Sequence, residues 1–426
     1  MTTDHAGTRF KLYPQLPGLE SDEGPETIWV SPPPGAIGPG PSDDRMYVVE
    51  PIGKQQPYGP APGRYGRTGL YLPPWRGPVV QPALPDANGH FDYLELGTPQ
   101  FEMAHIFGSV RFTLDVWERY FGRRIEWHFR RDFSRLEIVH LRSLDNAFAG
   151  FGSIEVGAHF SKDAPPVPFS LSFDVLAHEV GHLIIYSMIG LPDPEDMESE
   201  YLGFHESAAD MVSLITLLHF DSAIEELLNN SRGNLYTANR LNRFAELSNF
   251  NQMRMANNTR TLAEFAEGWS KEHDLSEPLT GALFDVWVDA FHESLLDGGL
   301  ISGALEDFAD EMDYQPGGVE AIQGLFDEAF SRDPAGFKAA LAESRDYMGF
   351  ALAAVFERLL PENLIYEDVR NALLDIDQEI NRGRYRRIIL NNFNARAIGL
   401  VGAGPRLAPP DEDSHAFSAR TIVPAG

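Results

Sequence analysis

Residues 178–182 read His178-Glu179-Val180-Gly181-His182, and residues 206–210 read Glu206-Ser207-Ala208-Ala209-Asp210. On a helix, positions four apart share a face, so His178 and His182 can aim both imidazoles at one ion. Glu179 falls beside that ion, where a carboxylate suits a general base acting on metal-activated water. A third ligand must come from elsewhere. Glu206, opening a new helical run after an acidic, turn-rich stretch, is the candidate. Asp210 lies one turn further on the same face, placed to fix a ligating histidine through its second ring nitrogen.

The flanks sharpen the motif. Phe173-Asp174-Val175-Leu176-Ala177 precedes it and Leu183-Ile184-Ile185 follows, so the helix is largely apolar and belongs inside the protein. A buried cluster of two imidazoles and a carboxylate needs partners or a metal. The chain has no cysteine, so His, Asp and Glu must supply every ligand.

Composition bounds the rest. A chain of 426 residues with 43% hydrophobic content has room for two or three lobes and an ample core. Its net charge of −29 opposes binding to nucleic acid or to an anionic membrane. No run approaches the roughly 18 uncharged apolar residues of a membrane span. The start, Met1-Thr2-Thr3-Asp4-His5-Ala6-Gly7, lacks a basic region followed by an apolar run. No membrane insertion and no signal peptide is therefore expected, which points to the cytoplasm or to export by a signal-independent route.

Residues 1–100 hold 18 of the 31 prolines, so this segment is expected to be extended and loop-rich, wrapped over the main domain or partly disordered. Its aromatics, among them Trp29, Tyr47, Tyr58, Tyr71 and Trp75, favour wrapping. Residues 101–121 read as an amphipathic helix stopping at Gly122. Residues 124–129 and 136–141 alternate like strands, and 146–160 read as an irregular strand pair. Helices are expected at about 172–189, 205–220, 222–230, 278–296, 302–311, 316–331, 335–344, 346–359 and 365–381. The organisation is thus a proline-rich segment (1–100), an α/β lobe with the metal helix (101–190), a mainly helical lobe (191–401) and a flexible tail (402–426).

Five blocks in this order resemble the thermolysin family of zinc metallopeptidases, over roughly residues 101–401. They are the helix from Ala104-His105 to Phe121-Gly122-Arg123; Asn146-Ala147-Phe148 with Glu155-Val156-Gly157; the His178–His182 motif; Glu206 to Asp210; and His273 with Ser276, Pro278 and Gly281. The resemblance implies a two-lobed α+β fold, with a mixed or antiparallel sheet lobe followed by a mainly helical lobe and zinc in the cleft between. It implies one zinc per chain on His178, His182 and Glu206, with Glu179 as base and Asp210 holding His178. It implies His273 as oxyanion donor, and Asn146 and Ala147 on an edge strand binding a peptide or protein substrate. Arg243 becomes the carbonyl clamp, with Arg240 as its rival.

The departures are specific. Twenty-three residues separate His182 from Glu206, against nineteen usual in the family, and the excess is acidic. Met197 stands where the family has a catalytic tyrosine; Tyr201 is the nearby substitute. Asp174 matches a calcium-binding position of some relatives, but Leu217 replaces its acidic partner, so a double-calcium site is not expected. The competing reading is a catalytically weak or inactive zinc-binding scaffold. Retention of Glu179 opposes it, because metal binding alone does not require that residue. A metzincin is excluded, because its pattern needs glycine at Ile185 and histidine at Met188.

Overall fold

The computed structural model describes residues 7–17, 24–62, 68–162, 165–193, 195–235, 256, 258–266, 268–269, 271–305 and 318–399. The chain divides into two compact units, with the boundary at Met188–Ile189. The first is mixed α and β; the described part of the second is helical.

The first unit contains β1 (Thr8–Leu12), β2 (Glu26–Val30), β3 (Met46–Val49), β4 (Gly59–Pro62), β5 (Thr68–Tyr71), α1 (Pro99–Phe121), β6 (Leu136–His140), β7 (Ala147–Gly150), β8 (Ser153–Val156), β9 (Ala158–His159), β10 (Val167–Pro168) and α2 (Phe173–Met188). Its main sheet has the order β3-β6-β8-β7. The first three strands are parallel, and β7 runs antiparallel to β8 on one edge. The sheet is therefore mixed. The β7–β8 turn uses Gly152 at φ 85°, a left-handed conformation that glycine adopts without a Cβ penalty.

Helix α1 follows its sequence signals closely. Thr98 accepts a bond from the Phe101 N–H, Pro99 sits at the first helical position, and Gly122 ends the helix at φ 65°. The strand expected at 124–129 does not form. Ile125 N–H donates to Glu118 Oε1 at 2.8 Å, and the Arg45 guanidinium donates to Ile125 O. Trp127 Nε1–H reaches Arg45 O at 3.3 Å. The first two ties occupy the backbone N–H and C=O of Ile125 that a sheet ladder would have used. Strand β6 also departs from simple alternation, since all five of its residues are buried. It lies between two parallel neighbours.

Part of the proline-rich segment is built into this unit. β3 is an outer strand of the main sheet, and a loop beyond it carries Lys54 into the interior. Lys54 Nζ stands 3.1 Å from Glu155 Oε1, with both side chains fully buried. It lies 3.7 and 4.3 Å from the ring centroids of Tyr58 and Tyr71. Tyr58 N–H donates to Glu155 Oε2 at 2.6 Å and its hydroxyl to Glu137 Oε2 at 2.7 Å. Trp75 N–H donates to Glu137 as well. Two buried carboxylates on adjacent parallel strands thus take partners from the proline-rich segment: Tyr47, Lys54, Tyr58 and Trp75.

The second unit contains α3 (Ser199–Leu217), α4 (Asp221–Ser231), α5 (Glu272–Asp297), α6 (Gly318–Arg332), α7 (Pro334–Phe356), α8 (Tyr366–Asn381) and α9 (Arg386–Ala395). α3 lies along α5, which also packs on α7 and α9. Four expectations are corrected here. α3 begins at Ser199, six residues before the expected start. α5 begins at Glu272, so Pro278 is inside the helix and does not open it. There it removes the N–H that would reach Asp274 O and crowds that carbonyl with its ring. The two helices expected at 335–344 and 346–359 are one, because Ser344-Arg345-Asp346 contains neither Gly nor Pro to break it. α9 was not expected, since only Ile388, Ile389 and Phe393 mark its buried face amid Arg and Asn. The helix expected at 302–311 falls mostly outside the described residues, as do the tail at 402–426 and Arg240 and Arg243. No described helix is long and apolar enough to cross a membrane.

Candidate metal centre

Helix α2 opens with Ser172 Oγ donating to Asp174 Oδ1. Asp174 is thereby used by its own helix start, and burial raises its pKa. Leu176, Ala177, Val180, Leu183 and Ile184 are fully buried and fix the helix in the first unit. That leaves His178, Glu179 and His182 together on the remaining surface. One ligand atom from each lies within 4.8 Å of the others, the one such group of three or more among the described residues. The two imidazoles sit with centroids 4.6 Å apart and planes at 87°. Two imidazoles and a carboxylate this close together are a donor set that suits a metal.

The base candidate is held from the sheet. Ala149 N–H donates to Glu179 Oε2 at 2.6 Å. This bond follows from strand parity. Asn146 O accepts from Gly157 N–H inside the ladder, so Phe148 and Gly150 also face β8, while Ala147 and Ala149 direct their backbone groups outward. The exposed side chain of Asn146 stands immediately before β7, and Ala147 is its first residue. Ala149 escaped the sequence reading because it acts through its backbone. The available signal was parity counted from Ala147.

In the second unit, α3 carries Glu206 and, one turn on, Asp210. Glu206 is buried and Asp210 half-buried. His273, in the first turn of α5, places Nδ1 3.2 Å from Glu206 Oε2. The helical lobe therefore brings together the third-ligand candidate and the oxyanion candidate without any help from the motif on α2. Tyr201 is buried, and its hydroxyl donates to Gly190 O at 2.7 Å. In this structure that hydroxyl ties α3 to the chain just after the unit boundary. His205 packs its ring 5.8 Å from Tyr201.

No family model matches the chain, and no curated protein is similar to it. Among solved structures it is similar to the precursor of protealysin, a metalloproteinase from Serratia proteamaculans. The identity is 10% and the TM-score 0.41, over 76% of this chain and 82% of that one. So distant a likeness carries no argument, and the functional reading rests on the residues of the site.

Glu200, in the first turn of α3, accepts from Tyr366 N–H at 2.6 Å. Burial pushes its pKa up to about 7, with Glu198, Asp368 and Glu367 adding to the rise and the Tyr366 bond opposing it. A carboxyl whose pKa is higher in the folded chain stabilises the fold below its unfolded value. That contribution is lost as pH rises through about 7. Glu200→Gln keeps an acceptor for Tyr366 and removes the charge. It is expected to raise stability at pH 8 by on the order of 2 kcal/mol and to leave pH 4 stability nearly unchanged. Urea unfolding at the two pH values checks this; equal effects at both would remove the argument.

Proposed function

We propose that this chain is a zinc-dependent peptidase of the thermolysin-like type. His178, His182 and Glu206 form the ligand set, and Glu179 is the general base. The reading is carried by the convergence of His178, Glu179 and His182 beside the outward-facing edge of β7. The donor chemistry fits zinc: two imidazoles and a carboxylate, with no thiolate in the chain.

Zinc held there would supply a Lewis acid that polarises the scissile carbonyl and lowers the pKa of a water molecule. Glu179 takes the proton of the attacking water and passes it to the leaving amine. Asp210 fixes the ring of His178. A peptide adds to β7 as a further strand, reading the outward N–H and C=O of Ala147, with Asn146 clamping its backbone. His273 donates to the developing oxyanion, and Arg243 clamps a substrate carbonyl. Tyr201 would join only by releasing Gly190 O. That commitment favours the second reading, a zinc-binding scaffold of low activity.

The test is zinc analysis together with digestion of casein and a mixed peptide library, with and without phenanthroline. One zinc per chain and cleavage abolished by the chelator are expected. Asp210→Asn is expected to weaken zinc binding about 10- to 100-fold. Zinc bound at unit stoichiometry with nothing cut would leave the scaffold reading standing, and no zinc at all would remove both.

A further inference from the structure

The Glu206–His273 pair depends on how closely α3 and α5 approach, and a side chain from a third helix sits in that junction. Tyr366, the first residue of α8, is fully buried. Its hydroxyl donates to Leu275 O at 2.6 Å, two residues after His273. The same oxygen lies against Gly203, three residues before Glu206, so tightly that any Cβ on Gly203 would collide with it. The side chain and carbonyl carbon of Leu275 close in on that same point at 3.0 and 3.1 Å. Tyr366 N–H, held by Glu200, fastens α8 to the first turn of α3. Glycine is a poor residue for a helix interior, and its place in α3 is accounted for by this contact.

We propose that Tyr366 is a positioning residue that sets the spacing between α3 and α5, and through it the registry of Glu206 with His273. Its hydroxyl is a bolt with one end on each helix: contact with Gly203 fixes how near α3 can come, and the bond to Leu275 O stops α5 from sliding along it. The effect on turnover rests on the peptidase reading; the effect on spacing does not.

The experiment uses the full chain with Tyr366→Phe, Gly203→Ala, their double variant and Leu373→Ala. Leu373 is a fully buried α8 residue that serves as a control for general destabilisation. Tyr366→Phe and Gly203→Ala are each expected to lower kcat about 10- to 100-fold, because displacements near one ångström at a reacting centre have that size. KM is expected to stay within about twofold, because neither change touches the peptide-binding edge. In the double variant, removing the hydroxyl makes room for the new methyl group, so kcat should recover part of the Gly203→Ala loss. Leu373→Ala should lower Tm and leave kcat per folded molecule unchanged. Wild-type kcat in Tyr366→Phe, or additive losses in the double variant, would overturn the proposal. If the wild-type chain cuts nothing, the peptidase reading fails, and crystal structures decide the spacing. A His273 Nδ1–Glu206 Oε2 distance that lengthens in Gly203→Ala and shortens again in the double variant supports it; an unchanged distance overturns it.

Discussion

Glu179→Gln is expected to retain zinc and to lose peptide hydrolysis by roughly 100- to 10,000-fold. The amide is nearly isosteric and keeps an oxygen to accept from Ala149 N–H, so the orientation set by that 2.6 Å bond survives. His178 and His182 are untouched, and metal binding should be unchanged. What disappears is the group that takes a proton from water and delivers it to the amine. The loss should therefore fall on kcat with little change in KM. Steady-state kinetics with zinc analysis on the same sample separates the two effects. A variant that keeps zinc and more than about a tenth of the wild-type rate would remove Glu179 from the role of base.

The second large effect lies far from the candidate centre in chemistry. Lys54→Met is expected to destabilise the sheet unit by roughly 3–5 kcal/mol, the cost of leaving one partner of a buried ion pair uncompensated. Burial lowers the pKa of Lys54 and raises that of Glu155, and the charge of each opposes that shift in the other. Methionine fills similar volume, and the loss reports charge more than packing. Two companion measurements sharpen the point. Lys54→Met with Glu155→Gln should be markedly more stable than Lys54→Met alone, since it returns the site to neutrality. The deficit of Lys54→Met should also shrink as pH falls, because protonating Glu155 removes the uncompensated charge. Urea unfolding at pH 7 and pH 5 measures both. A loss under about 1 kcal/mol would show that water reaches the site.

The parts of the fold legible in the sequence are those fixed by neighbours along the chain. Thr98, Pro99 and Gly122 mark α1 because capping is local, and the apolar flanks of His178–His182 mark α2 for the same reason. The β7–β8 pair was readable from its glycines. Residues 124–129 read as a strand, but Glu118 and Arg45 take the backbone N–H and C=O of Ile125, and no pattern within six residues reports a distant guanidinium. The α5 start was misplaced because a proline near a helix N-terminus and one inside its second turn look alike without the packing partners. At the candidate centre, side-chain roles were readable as residue types at a spacing. The grip of Ala149 on Glu179 was not, since any residue but proline offers the same N–H. Tyr366 lay outside every motif, and only its contact with Gly203 and Leu275 draws attention to it.

The parallel pairing of β3 with β6 has a consequence for the order of folding. Met46 meets Leu136, and Lys54 meets Glu155, so the partners are separated by about half of the first unit's length of chain. Pairings this far apart in sequence close large loops before they gain anything, which makes them slow. On a ribosome, which releases the N-terminus first, residues 46–75 emerge with no sheet to join. Until β8 has left the exit tunnel, the ammonium of Lys54 stays in water and the prolines around it stay open to proteases. In the main sheet, the strand made first therefore waits for partners made later.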